Sequence, residues 1–160
     1  MVFPEKMRVI DAYFLCFLGL SLFVPACSRT AGEQPPVIRY AKDRCAECGM
    51  IINEELFASA LVGTNGEVAK FDDIGCMIRF RDRLSTVNVR RAWVHDYESG
   101  AWIEAQAAHF VHAQELVSPM GYSLAAFSEV SSAEQWAQKW KGEVIDLDRY
   151  QMQLKPTKEG

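Results

Sequence analysis

No run of basic residues and no basic–aromatic interleaving occurs in these 160 residues. That argues against nucleic acid as a partner. No P-loop, GxGxxG or Ser–His–Asp set is present, so nothing points to an enzyme. A second CxxC is missing, and His109-x-x-His112 is closer than the usual zinc-ligand spacing, which leaves zinc poorly supported. Cysteine is scarce: five residues, at 16, 27, 45, 48 and 76, do not make a disulfide scaffold. The largely apolar stretch near the N-terminus has a core, Ala12 to Leu22, that is too short for a comfortable transmembrane helix.

That stretch instead has the form of a targeting segment. Lys6 and Arg8 precede a largely apolar run from Ala12 to Ala26, which ends Leu22-Phe23-Val24-Pro25-Ala26-Cys27. The pattern resembles a bacterial lipoprotein signal, cleaved before a cysteine that is then lipid-modified. Residues 1–26 are therefore expected to be a signal peptide and Cys27 the lipidated residue. Residues 27–36 are polar and Pro-containing, as in a short flexible tether. The domain would face an oxidising compartment, the periplasm, anchored to a membrane through lipid.

The remainder carries an ordinary globular balance, in a chain 49% apolar and 24% charged with net charge −4. Two similar halves can be made out. Leu56 to Val62 is a predicted strand, Asn65-Gly66 a hairpin turn, and Glu67 to Phe71 the returning strand. Asp72-Asp73 then start a helix through about Arg83, and Asn88 to Tyr97 alternates as a third strand. The second half repeats the order. Strands are predicted at Ala108–His112 and Ser123–Ser128. A helix capped by Ser131-Ser132 runs to about Lys141, with Gly142 as its stop and a strand at Glu143–Leu147. The expected fold class is α+β: two tandem ββαβ units, residues 37–98 and 99–150, packed together. Residues 151–160 are expected to be a polar, frayed tail.

The chemistry concentrates in Cys45-Ala-Glu-Cys48-Gly49-Met50, three sulfur side chains within six residues. Thiolate plus thioether is the ligand set that soft Cu(I) selects. The same CxxC also reads as half of a zinc site or as a redox dithiol. The dithiol reading needs a helix directly after the motif, and a hairpin follows instead. Met50 and Met120 both sit beside glycine in loops rather than at periodic apolar positions. Cys76 and Met77, on the first helix, read as core residues. Of the three histidines, His112 lies at a strand end a few residues from Met120 and is the histidine candidate.

Three motifs in order carry a wider resemblance. They are Cys45-x-x-Cys48-Gly49-Met50, Phe71-Asp72-Asp73-Ile74-Gly75-Cys76-Met77 and Ser118-Pro119-Met120-Gly121-Tyr122. Behind a lipoprotein signal, they resemble the NosL family over essentially the whole mature chain. The resemblance implies a duplicated ββαβ fold, similar to part of organomercurial lyase. It implies Cu(I) binding and delivery to nitrous oxide reductase or its membrane-bound assembly machinery, without catalysis. Cys48, Met50 and Met120 are the implied ligands, with Cys45 as a further candidate. Two rival readings stand beside it. One is an extracytoplasmic thiol–disulfide or organomercurial-lyase-like enzyme using the cysteines. The other is a structural module whose cysteines hold zinc or pair for stability.

Overall fold

The computed structural model describes residues 34–84 and 89–154. The expected signal peptide, Cys27, most of the tether, Asn88 and the last six residues lie outside the described residues. The fold is α+β. The first unit runs β1 (Ser59–Gly63), β2 (Val68–Phe71), α1 (Ile74–Arg83) and β3 (Val89–His95). A short strand β4 (Trp102–Glu104) follows. The second unit runs β5 (His109–His112), β6 (Leu124–Phe127), α2 (Val130–Lys139) and β7 (Glu143–Ile145), and a terminal helix α3 spans Leu147–Leu154. Among the described residues, no helix is long and apolar enough to cross a membrane.

The two units share a topology. The first sheet has the order β2-β1-β3-β4 and the second β6-β5-β7, all antiparallel. In each, the unit's opening strand sits between its second and third. The β1–β2 hairpin turns at Asn65-Gly66, where Gly66 has φ +83 and its N–H bonds Gly63 O at 3.0 Å. That left-handed conformation is the one glycine adopts without strain.

The two sheets meet through backbone and carboxylate. Asp96 bridges to Ala126 in parallel, and the Tyr97 N–H bonds Ala126 O at 2.8 Å. The Asp96 carboxylate accepts from Ser99 N–H at 3.1 Å and from Ser128 N–H, in the other unit, at 3.0 Å. One apolar core runs through both units, joining Phe71, Ile74, Met77 and Val94 to Phe110, Leu124 and Ala126. Fully burying one such large side chain stabilises the fold by about 1.5–3 kcal/mol.

Several elements differ from expectation for identifiable reasons. Leu56-Phe57 belong to a 3₁₀ turn, Glu55–Phe57, not to a strand. The Phe57 and Ala58 N–H groups bond back to Glu54 O, and Phe57 packs into the second unit's core beside Val111 and Phe127. Strand β4 was too short to show a period in sequence. It is held by pairing His95 with Trp102 and Trp93 with Glu104, with the His95 and Trp102 rings 3.8 Å apart between centroids. Helix α2 is capped by Glu129 backbone, without a side-chain cap. Ser131 and Ser132 fall inside its first turn, and the Ser132 hydroxyl donates instead to Glu98 at 2.7 Å.

The end of the chain differs most. Leu147 opens α3 rather than closing β7, and α3 carries regular structure past Gln151 to Leu154. The Asp146 side chain accepts from Arg149 N–H at 2.6 Å. Tyr150 is buried, its hydroxyl donating to Tyr122 O at 2.6 Å, and Gln151 bonds both Arg81 and Asp82 of α1. Docking, not propensity, stabilises this polar helix.

Gly142 ends α2, but not through its own backbone angle. Lys141 holds the left-handed position (φ 52), and Gly142 N–H bonds Ala137 O at 2.8 Å in a Schellman arrangement. Gly142 is required by close approach: a Cβ there would lie 2.3 Å from His112 O. Gly142→Ala is expected to destabilise the fold by about 2–3 kcal/mol through overpacking, read as a lowered urea midpoint with an unchanged slope.

Candidate metal centre

The Cys45 segment folds into a tight loop on the edge of the first sheet. Arg44 bridges Ile51, Cys45 N–H bonds Met50 O at 2.8 Å, and Gly49 N–H bonds Cys45 O at 2.9 Å. Gly49 sits at φ +76, the turn conformation its missing Cβ allows. Ala46 N–H docks the loop on β2 through Lys70 O at 2.8 Å. Glu47, between the two cysteines, pairs with Arg83 and, at 3.7 Å, with Arg79, both on α1. Its side chain is 8% exposed, so these pairs hold more than a solvated ion pair would.

This anchoring brings the loop over the start of α1. The Sγ atoms of Cys45, Cys48 and Cys76 and a carboxylate oxygen of Asp72 all lie within 4.8 Å of one another. Cys45, Asp72 and Cys76 are buried and Cys48 is half-buried. All three cysteines are free thiols. The Cys48 thiol donates to Asp72 Oδ1 at 3.5 Å. Asp72 forms no salt bridge among the described residues, although it is buried.

The cluster divides its protons unevenly. The Cys76 thiol donates to Cys45, which holds the Cys45 pKa down to about 6. The same bond, with burial, pushes Cys76 well above the ordinary thiol range. Burial pushes Cys48 up to about 11. Cys45 is therefore the most readily deprotonated of the three sulfurs.

Asp73 joins this cluster to the second unit. It is fully buried, and its side chain caps α1 by accepting from Gly75 N–H at 2.9 Å. Its other oxygen accepts from the Ser118 hydroxyl at 2.6 Å and from Met120 N–H at 3.0 Å. Burial pushes its pKa up, against the pull of these donors. The adjacent residues Asp72 and Asp73 thus hold, respectively, the Cys48 loop and the Met120 turn. Gly75 makes room for the joint, since a Cβ there would fall 2.0 Å from the Tyr122 ring.

The sequence candidates separate into three places. Cys45 and Cys48 are in the thiol cluster. Met50 and Met120 are solvent-exposed, at 58% and 39%, on the two turns that meet the Asp72–Asp73 pair. His112 is elsewhere: its ring packs edge-on against Tyr150 at 5.2 Å and it is not in the cluster. Cys76 and Asp72 join the cluster although the sequence placed the first in the core and the second at the helix start. Cys76 is buried as expected, yet its sulfur faces the loop cysteines. The repeated Cys–Gly–Met and Gly–Cys–Met triplets were the available signal.

Three soft sulfurs and a carboxylate on a duplicated α+β scaffold define a donor set suited to a thiophilic metal ion. The chain matches the NosL family model over residues 36–154, and it belongs to that family. A similar solved structure is the crystal structure of the copper chaperone NosL from Shewanella denitrificans. The two align with a TM-score of 0.65 and 24% identity, over 72% of this chain and 93% of that one. At that identity the likeness speaks for the fold. No curated protein matches the sequence.

Asp73→Asn tests the joint. An amide offers one acceptor oxygen to donors that now use both, so an N–H meets an N–H whichever way it turns. A loss of about 2–4 kcal/mol in folding stability is expected, checked by chemical denaturation. A loss under about 1 kcal/mol, the ordinary value of one hydrogen bond, contradicts the role given to Asp73.

Proposed function

We propose that this chain is a membrane-tethered Cu(I) carrier that faces the periplasm and supplies nitrous oxide reductase or its membrane-bound assembly machinery. One observation carries the reading: neighbouring aspartates hold the Cys48 loop and the Met120 turn, from opposite halves of the molecule, at one helix start. Family membership and the likeness to the copper chaperone NosL from Shewanella denitrificans support it. The donor set fits. Soft thiols and thioethers favour Cu(I) and disfavour calcium or magnesium.

In this reading Cys48 is the central ligand, Met50 and Met120 are its exposed thioether partners, and Cys45 stands behind. Exposed thioethers let an incoming acceptor replace one ligand at a time, so copper transfers without release into solution. No catalytic role is needed for any side chain. Lipid on Cys27 would keep the carrier at the membrane surface, where its acceptor is assembled. Changing Cys27 to Ser is then expected to move the protein from the membrane to the soluble fraction.

The test is a Cu(I) titration of the full chain in detergent against a competing chelator. Cys48→Ser is expected to weaken binding by about 100-fold and Met120→Leu by about tenfold. Unchanged affinity in both variants removes the ligand assignment, and absence of tight binding in the parent removes the carrier role. Acid should weaken the complex. The Cys48 thiol, raised to about 11 in the free protein, must lose its proton to bind. Protons therefore compete with copper at every pH below about 11, and the fall in affinity is read between about pH 8 and pH 6. Tight binding by the parent that is indifferent to pH would argue against thiolate ligation.

A further inference from the structure

The geometry points to a second, inner copper station in this protein, built from Cys45, Cys48 and Cys76, with Cys48 shared between it and the exposed methionines. The inference rests on the copper reading above and deepens it. Three observations carry it. The first is convergence. The described part of the chain contains three cysteines, and they come from two separate segments, the loop and α1. Packed as ordinary small hydrophobes they would be spread through the core. Instead all three sulfurs lie within 4.8 Å of one another.

The second is fit. With a metal–sulfur bond of about 2.3 Å, sulfurs around one ion sit about 4 Å apart in a trigonal site and about 4.6 Å apart in a linear one. The present spacing accommodates either arrangement with small side-chain adjustments. The third is charge. Asp72 is buried beside the sulfurs, and its carboxylate has a weak thiol donor and no salt-bridge partner among the described residues. Buried acids are ordinarily paired with a cation or a metal. A copper ion among the sulfurs would be a metal within this carboxylate's reach, since its oxygen lies within 4.8 Å of all three.

Cys48 is the one half-exposed member of the cluster, while Cys45 and Cys76 are 3% and 0% exposed. It therefore belongs to both environments. Copper arriving at the exposed thioethers passes inward by exchanging them, one at a time, for Cys45 and Cys76. The thiol protons displaced on binding leave to water, and no electron changes hands. The inner station sets how tightly copper is retained, and the outer one sets how quickly it is given up.

The experiment uses the full chain in detergent and two measurements, chelator competition for Cu(I) and copper X-ray absorption. Cys76→Ser is expected to weaken Cu(I) binding at least about tenfold and to lower the number of sulfurs around copper by one. Met77→Leu, a conservative change at the neighbouring core position, is the control for packing and should change neither measurement. Cys76→Ala replaces Cys76→Ser if the serine variant does not fold. A folded variant with affinity within about twofold of the parent, or with the parent's sulfur count, overturns the inner station. A parent that holds no Cu(I) against the chelator instead overturns the copper reading on which it depends.

Discussion

The structure depends on one buried carboxylate. Asp73 ends β2's return, caps α1, and takes both the Ser118 hydroxyl and the Met120 N–H from the other unit. A buried carboxylate is tolerable only when its oxygens are met by donors. That requirement makes Asp73 specific as well as stabilising. It accepts only one placement of the 118–121 turn, with Gly121 at φ +71 and Tyr122 seated on Gly75. Between the Asp73 joint and the Asp96–Ala126 bridge the units are joined by an apolar core, which is tolerant of small shifts. At Asp73 they are joined by directional bonds, which are not.

Around this joint the charged residues act locally. Glu47 is held by Arg79 and Arg83, and Asp43 by Arg39 and Lys70. Lys70 holds Asp43's carboxyl well below the usual range. The Glu47 pairs fasten the cysteine loop to α1, and the Lys70–Asp43 pair fastens its approach to β2. The loop is therefore pre-organised before any ligand arrives, and ordering it is not charged against binding. The chain's modest net charge of −4 conceals this arrangement, because the pairs cancel in the total.

Sequence reading reached the architecture because the duplication repeats its own signals. A turn at Asn65-Gly66, a cap at Asp73 and alternating strands recur in weaker form in the second half, and together they yield the tandem ββαβ order. It missed what local pattern cannot carry. Trp102–Glu104 is three residues long and is a strand only because β3 offers an edge to pair with. Gln151 onward is polar enough to read as a tail and Leu147 as the end of a strand, yet Leu147–Leu154 is a helix because Tyr150 and Gln151 find partners on the rest of the fold. Glu129 rather than Ser131 or Ser132 precedes α2, because Ser132 is recruited by Glu98. At the site, the exposed methionines and the CxxC were legible as unusual residues in loops. Cys76 was legible only as a buried helical residue. Which atoms its sulfur meets depends on a loop some thirty residues earlier, and no periodicity reports that.

The Asp73 joint also fixes an order in time. Its partners in the second unit lie 45 and 47 residues further along the chain. Closing loops of that length costs entropy that only the later contacts can repay. A chain emerging from its N-terminus therefore exposes its thiols before the turn that completes their setting exists. The early half has three strands, a helix and three free thiols, yet no cover for the helix start. Only when Met120 has arrived does the carboxylate find its last donor. The vulnerable interval of this protein is then its own folding, and it ends when the second repeat docks.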